Sequence, residues 1–193
     1  MNKFIPLRQF LNEGDSSDKN FGCVMLFADI PDWDELTHRI VREKDVYDPE
    51  TEPEEYGYEK KPHITLIYGI HHDEILDEGN IFKMIKDIPT LKFSVKEIGV
   101  FENDDKPYDV VKFDIDPTKT LTNAREKFLE LPNTQTFPDY HPHMTIAYVK
   151  KGKGKKYRRI LKKSLKFQFD KGVYSDPKYR KNYFDLRKTN YDK

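Results

Sequence analysis

The chain has 193 residues, and its 34 Lys and Arg balance 34 Asp and Glu, so the formal net charge is zero. This balance excludes global steering toward nucleic acid or membrane, and the 13 Phe and 12 Tyr exclude a disordered chain. No apolar run approaches the roughly 20 residues that span a bilayer, and the first 20 residues lack the apolar stretch of a signal peptide. The single Cys23 excludes an internal disulfide and favours a reducing, cytoplasmic location.

The predicted elements alternate between strands and helices along the chain. Apolar and aromatic runs ended by Gly, Pro or polar turns predict strands over residues 22–30, 62–70, 91–101, 108–115, 143–149, 166–174 and 183–186. Helical spacing and composition predict helices over residues 32–46, 73–87 and 118–131, with a basic helix over 155–164. Residues 1–20 fit neither pattern and are predicted to form an arm and linker. The order strand, helix, strand, helix, strand occurs twice, which is typical of an α+β domain.

The two halves of the chain also repeat each other in sequence. PHITLIY at residues 62–68 aligns without a gap with PHMTIAY at residues 142–148. Strand 91–101 aligns with residues 165–174, and the matches keep the same order in both halves. We therefore expect one domain over 21–193, built from pseudo-twofold lobes at roughly 21–105 and 106–193, with the final strand crossing back.

Each repeated strand carries a His-x-Thr tripeptide. Since side chains alternate along a strand, His63 and Thr65 share one face, and so do His143 and Thr145. The opposite face is expected to enter the core through Ile64, Leu66, Tyr68, Met144, Ile146 and Tyr148. Two imidazoles that meet across a cleft can act as base and acid, while the Thr hydroxyls donate to phosphate oxygens. The pattern therefore predicts phosphodiester cleavage that needs no metal or other cofactor.

The paired His-x-Thr motifs, one in each half, resemble those of the 2H phosphoesterase superfamily over about residues 21–186. That superfamily includes RNA 2′,3′-cyclic phosphodiesterases (long called 2′-5′ RNA ligases), 2′,5′-phosphodiesterases, and phage enzymes that cut cyclic oligonucleotide signals in the host cytoplasm. The resemblance implies a bilobal α+β fold around a cleft. It implies that His63 and His143 are the catalytic acid–base pair and that Thr65 and Thr145 bind phosphate. The expected partner is a small oligonucleotide or cyclic nucleotide, or an RNA end, and not a membrane.

The segments flanking the motifs supply candidates for substrate binding. Four aromatic residues before the motifs are candidates for stacking on bases, with loop anchoring as an equal alternative: Tyr56, Tyr58, Phe137 and Tyr140. Three basic residues after the second motif are candidates for a second phosphate contact, with a solvated face as the alternative: Lys151, Lys153 and Lys155. Residues 43–59 hold eight acids and one Lys, whereas residues 150–166 hold ten Lys or Arg and no acid.

Weaker interpretations stay open at this point. His141 and His143 form a His-x-His pair that a metal site would use, but no further spaced ligands are evident. His71 and His72 follow the first motif strand and are expected in an exposed loop with an accessory role at most.

Two other functions compete with an enzyme: a 2H domain that binds RNA ends or nucleotides without cleaving them, and a protein-interaction module that uses the charged runs.

Overall fold

The computed structural model describes residues 21–50, 56–102, 104–135 and 139–188, so the predicted arm at 1–20 lies outside the described residues. The strands are β1 (Phe21–Ala28), β2 (His63–His71), β3 (Leu91–Phe101), β4 (Tyr108–Asp114), β5 (His143–Lys150), β6 (Arg159–Ser175) and β7 (Lys181–Asp185). The α-helices are α1 (Trp33–Ile40), α2 (Glu78–Asp87) and α3 (Lys119–Leu129), and 3₁₀ turns lie at Glu43–Asp45, His72–Glu74 and Lys155–Tyr157.

The described strands form one antiparallel sheet whose order is symmetric. The order is β2-β1-β6-β3-β4-β5, with β7 added to β6. Exchanging β1 with β4, β2 with β5 and β3 with β6 leaves this order unchanged, as a pseudo-twofold axis between β6 and β3 requires. The expected bilobal α+β architecture is therefore confirmed.

Strand β6 joins the two lobes and corrects one prediction. Its first half pairs with β3, as Phe167 does with Phe93, while its second half pairs with β1 and β7. The basic helix predicted over 155–164 is wrong, because only Lys155–Tyr157 forms a 3₁₀ turn before β6 begins at Arg159. Lys and Arg are compatible with a helix, but backbone pairing with β3 decides the structure here.

All three helices pack on one face of the sheet. A single buried cluster contains Trp33 of α1, Ile81 of α2 and Phe128 of α3 together with strand residues. Helix α2 starts later than predicted because the Asp77 carboxylate caps it, accepting a 2.8 Å hydrogen bond from Gly79 N. Helix α1 is shorter than predicted and ends at Ile40. Within the described part of the chain, none of the helices has the length and apolar character needed to cross a membrane.

The loops that precede the two motifs cross to the opposite lobe. The loop before β2 runs along β5, where Tyr148 N donates to Gly57 O at 2.8 Å. The loop before β5 runs along β2, where Thr134 N donates to Gly69 O at 2.9 Å. Gly69 has φ +94, and a Cβ there would overlap the Thr134 carbonyl oxygen, so this approach requires glycine. Each motif strand is thus bordered by a segment of the other lobe.

Candidate active site

The two motif histidines are the first residues of equivalent strands, each directly after a proline. His63 Nδ1 lies 2.8 Å from the carbonyl oxygen of Lys61, and His143 Nδ1 lies 2.8 Å from that of His141. A carbonyl oxygen only accepts hydrogen bonds, so both Nδ1 atoms carry a proton and donate it. In each neutral ring the Nε2 atom is then the unprotonated nitrogen, and these two atoms are the ones that can exchange protons with a substrate.

Both histidines lie on the face of the sheet that the helices leave uncovered. Their strand neighbours Ile64 and Met144 belong to the buried cluster between sheet and helices. Because side chains alternate along a strand, His63 and His143 both point away from the helices. Thr65 and Thr145, two residues further on, take the same face.

A β-bulge follows each motif and changes the alternation predicted from the sequence. In β2, Leu66 is an extra residue that has no partner in β1. In β5, Ile146 is likewise an extra residue that has no partner in β4. Each extra residue directly follows the threonine of its motif. A bulge turns the residues that follow it to the other face. The prediction that Tyr68 and Tyr148 enter the core with Leu66 and Ile146 is therefore wrong. Tyr68 instead packs with Cys23, Met25 and Val173, and Tyr148 with Tyr56, Tyr108 and Val110, in small clusters beside the histidines.

The surroundings of His143 lower the pKa of its imidazole. The pKa of His143 is lowered to about 4, mainly by burial and to a smaller extent by the charges of Lys112 and His63. The hydrogen bond to the His141 carbonyl and the charge of Asp114 act in the opposite direction. His63 and His143 thus lie on one face of the sheet, and the charge of His63 is one of the smaller causes that lower the pKa of His143.

A buried lysine makes the two lobes unequal. Lys112 is the cross-strand neighbour of Thr145, whereas the equivalent neighbour of Thr65 is the apolar Met25. Lys112 is only 5% exposed and forms an ion pair with Asp114. Its ammonium also lies 4.2 Å from the centre of the Phe101 ring. A fixed positive charge therefore stands beside the second motif and not at the matching position of the first.

The opposite strand leaves room for this ion pair. Gly99 faces Lys112 across the β3–β4 ladder. A Cβ at Gly99 would overlap the Asp114 carboxylate and lie 2.9 Å from the Lys112 ammonium nitrogen. The glycine thus permits both charged groups to sit against the sheet.

Aromatic rings border both imidazoles. Phe27 stacks on His63 with ring centroids 5.2 Å apart and an interplanar angle of 27°. Phe101 meets His143 edge-on, with centroids 5.0 Å apart and an angle of 88°. A carboxylate oxygen of Glu59 also lies 3.9 Å from His63 Nδ1. These contacts restrict the orientation of each imidazole ring.

The aromatic candidates for base stacking have different positions. Tyr56 is 8% exposed and packs among three other tyrosines, so its ring is not accessible to a base. The Tyr58 hydroxyl donates to Val41 O at 2.8 Å, which anchors the loop. The Tyr140 hydroxyl donates to Thr65 O at 3.2 Å, and this residue therefore reaches the first motif from the second lobe. Phe137 lies outside the described residues.

The lysine candidates lie at the other end of β5 from His143. Seven residues separate His143 from Lys150, a span of about 23 Å along a strand. Lys151 donates to the backbone of Asp104. Lys155 pairs with Glu102 at 3.2 Å, and Lys153 is exposed beyond the strand end. The structure does not bring these three lysines together with the motifs.

The acidic and basic runs of the sequence meet each other in the fold. Lys156 pairs with the buried Asp45 at 2.6 Å, and the Tyr157 hydroxyl donates to the same carboxylate at 2.5 Å. These hydrogen bonds hold the pKa of Asp45 below its usual value. Part of the charge asymmetry in the sequence thus serves to join residues 43–45 to the turn before β6.

His71 and His72 lie apart from the motif histidines, at the far end of β2. His71 Nδ1 lies 2.8 Å from Glu74 Oε1, and His71 Nε2 lies 2.8 Å from the Thr134 hydroxyl. His72 Nδ1 lies 2.8 Å from the hydroxyl of Tyr174. Across residues 21–188, apart from the gaps in the described ranges, no group of three or more His, Cys, Asp and Glu could hold a metal ion.

Sequence reasoning missed several residues beside the motifs. Lys112 stands in the strand sequence VVKFD, where nothing indicates that a lysine is buried. The sequence gives a weak indication of Glu59, because an acidic residue stands four residues before His63 and another stands four residues before His143. The contacts of Phe27 and Phe101 depend on strand pairing, which no local pattern specifies.

Comparison with known proteins gives one family and several similar folds. The family model of the 2′-5′ RNA ligase superfamily matches residues 30–171. Usb1 of Kluyveromyces marxianus, solved with uridine monophosphate, is similar with a TM-score of 0.59 at 10% identity, over 88% of this chain and 100% of that one. A structure described as a phosphoesterase is similar with a TM-score of 0.51 at 12% identity, over 88% of this chain and 97% of that one.

LigT of E. coli, solved with 3′-AMP, has a TM-score of 0.47 at 15% identity, over 88% of this chain and 96% of that one. No curated protein matches the sequence. At these identities the likenesses to Usb1 and to the phosphoesterase show a shared fold.

Proposed function

Because the chain belongs to the 2′-5′ RNA ligase superfamily of 2H phosphoesterases, we propose that it is a phosphodiesterase in which His63 and His143 exchange protons and Thr65 and Thr145 bind the phosphate. Its substrate is an RNA-like 2′-5′ or 3′-5′ phosphodiester, or a cyclic phosphate, in a small linear or cyclic oligonucleotide in the cytoplasm. The observation that carries the proposal is the pair of imidazoles on one face of the sheet, each with Nδ1 bound to a backbone carbonyl, so that Nε2 is the unprotonated nitrogen of the neutral ring.

The reaction is a transfer of two protons around one phosphate. One Nε2 atom removes the proton of a ribose 2′-hydroxyl, whose oxygen then attacks the adjacent phosphorus. The bond from phosphorus to the 5′-oxygen breaks, and the other imidazole gives its proton to that oxygen. The products are a 2′,3′-cyclic phosphate and a free 5′-hydroxyl. For a 2′-5′ linkage the 3′-hydroxyl takes the role of the nucleophile.

The unequal surroundings of the two histidines support one division of these roles. With its pKa lowered to about 4, His143 is neutral at neutral pH and is therefore the proton acceptor. His63 is then the proton donor, with the Glu59 carboxylate 3.9 Å from its Nδ1 as a counter-charge. Lys112 contributes to the difference, because a positive charge beside His143 disfavours its protonated form.

The threonine hydroxyls complete the site on the phosphate side. Thr65 and Thr145 occupy the same face as the histidines, one in each lobe, so each can donate to a different non-bridging oxygen. Negative charge on these oxygens increases as the nucleophile attacks, which strengthens the two hydrogen bonds in the transition state. A bound nucleotide phosphate suits such a site, and Usb1 was solved with one.

A turnover assay tests the proposal with matched substrates. The panel contains 2′,3′-cyclic mononucleotides, 2′-5′ oligoadenylate, 3′-5′ dinucleotides and cyclic di- and trinucleotides. Each linear substrate is paired with a version that has deoxyribose at the cleaved step. We expect a cyclic phosphate product from at least one ribose substrate and none from its deoxyribose control, with equal turnover in EDTA.

Other outcomes contradict parts of the proposal. Equal cleavage of ribose and deoxyribose would mean that water attacks the phosphorus directly. Binding of a nucleotide without turnover of any substrate in the panel would favour a domain that binds RNA ends. Neither binding nor turnover would favour a protein-interaction module. Loss of activity in EDTA that zinc restores would favour a metal at His141 and His143.

A further inference from the structure

Two exposed tyrosines lie on the hairpin formed by β6 and β7. Tyr183 is 50% exposed and Tyr179 is 41% exposed, and they are the large aromatic side chains most open to solvent among the described residues. The hairpin adds β7 to the sheet beside the second half of β6, which pairs with β1 on its other side. The exposed part of the Tyr183 ring can stack on a ligand.

Tyr183 lies on the same face of the sheet as His63. Its cross-strand partner is Val173, which packs with Cys23 and Met25 on the face that the helices leave uncovered. The Tyr183 ring is 6.2 Å from that of Phe27, and Phe27 stacks on His63. An aromatic row therefore leads from the first motif imidazole to the exposed edge of the lobe in two ring-to-ring steps.

The turn of the hairpin holds Tyr179 in a defined backbone conformation. The buried Asp176 carboxylate accepts from Lys178 N at 2.9 Å and from Arg180 N at 2.8 Å, which fixes the turn. Tyr179 has φ 61, a left-handed conformation that is unusual for a tyrosine.

A lysine adds positive charge to this aromatic surface. Lys181 is exposed and pairs across the strands with Ser175, which pairs in turn with Cys23 of β1. Because residues aligned across neighbouring strands share a face, Lys181 lies on the same face of the sheet as Cys23. Aromatic rings with a cation beside them suit a nucleotide, whose base stacks and whose phosphate is negative.

We propose that Tyr183, with Lys181 beside it on β7, forms a nucleobase subsite for the nucleoside attached on the His63 side of the scissile phosphate. The subsite rests on the proposed function for the position of that phosphate. It predicts a preference for substrates with a nucleoside on this side, such as linear or cyclic oligonucleotides, over mononucleoside 2′,3′-cyclic phosphates.

Binding of a substrate that cannot react tests the subsite directly. The probe is a 3′-5′ adenine dinucleotide with deoxyribose at the cleaved step, measured by calorimetry on the wild-type chain and on single variants. Tyr183→Ala is expected to weaken binding about 5- to 150-fold, the range for loss of one stacked base. Tyr183→Phe keeps the ring and is expected to bind within about twofold of wild type. Ile160→Ala removes an exposed hydrophobic side chain from β6 instead of β7, so it is the control and is expected to bind as wild type does.

Abasic dinucleotides separate stacking from a general effect on the fold. Two probes lack one base each, and we expect one of them to bind Tyr183→Ala and wild type equally, because it has no base for the subsite. Equal affinity of Tyr183→Ala and wild type for the intact dinucleotide would overturn the inference. A loss that is the same for all probes, or absence of any binding to wild type, would overturn it as well.

The subsite and the proposed function can fail separately. If no ribose substrate is cleaved but Tyr183→Ala loses affinity for the intact dinucleotide alone, the subsite stands and the phosphodiesterase is refuted. If wild type cleaves the ribose dinucleotide and Tyr183→Ala cleaves it with unchanged kcat/KM, the subsite is refuted and the phosphodiesterase stands.

Discussion

The proposed role of His143 makes a quantitative prediction about pH. A base with a pKa of about 4 is about 90% deprotonated at pH 5, whereas one at the usual 6.5 is only about 3% deprotonated there. The acidic limb of kcat/KM for the wild-type enzyme should therefore lie near pH 4. Between pH 7 and pH 5 the titration of His143 should reduce the rate by only about 10%.

Replacing Lys112 should move this limb in a known direction. Lys112→Met removes a positive charge that lowers the pKa of His143 and introduces the residue found at the equivalent position, Met25. The pKa of His143 should rise toward 6.5, so the limb moves to higher pH and the variant loses activity at pH 5 before it does at pH 7. The assay is kcat/KM from pH 3.5 to 8, together with NMR titration of the His143 ring, which does not depend on turnover.

A matched control removes a lysine from the other end of the second motif strand. Lys153→Met makes the same change of charge at an exposed site beyond β5, and its pH profile should match that of wild type. The reasoning is refuted if the NMR titration of His143 is unchanged in Lys112→Met, or if the wild-type ring titrates near 6.5.

Further predictions concern the threonines, the glycine beside β2 and the cysteine. Thr65→Val and Thr145→Val should lower kcat more than they raise KM, because their hydrogen bonds strengthen in the transition state; steady-state kinetics measures both. Gly69→Ala should destabilise the fold by about 1–3 kcal/mol in urea unfolding, because φ +94 and the Thr134 carbonyl leave no place for a Cβ. Burial raises the pKa of Cys23, so a thiol reagent should label it only as the protein unfolds.

The sequence was sufficient to predict the motif strands because their information is local. Alternation along PHITLIY and PHMTIAY puts His63 and Thr65 on one face and His143 and Thr145 on the equivalent one. The internal repeat then relates the two strands by symmetry, and the symmetric sheet order agrees with it. Periodicity and repetition together are therefore enough to predict which side chains share a face.

The two bulges could not be predicted by the same rule. Leu66 and Ile146 interrupt the alternation because neither has a partner on the neighbouring strand, β1 or β4. That pairing forms between distant parts of the chain, so the local sequence does not reveal it. The rule therefore put Tyr68 and Tyr148 on the wrong face. It succeeded for the first three residues of each motif because the bulge comes after them.

The structure of the basic segment and the burial of Lys112 could not be predicted from the sequence, for a related reason. Residues 159–164 lie in a strand because Arg159, Ile160 and, just beyond them, Leu165 pair with β3, although their composition is compatible with a helix. Lys112 is buried because Asp114 pairs with it and Gly99 leaves room opposite. Both outcomes depend on contacts between segments, so composition alone predicts neither.

Single-turnover kinetics of histidine variants test the central claim most directly. The substrate is the ribose substrate that wild type cleaves best, and the variants are His63→Ala, His143→Ala and the double variant. Each single change should lower the rate about 10²- to 10⁴-fold. The double change should lower it by less than the product of the two, because the pair acts as a unit. Wild-type rates in either single variant would contradict the claim that the two imidazoles share one proton-transfer reaction.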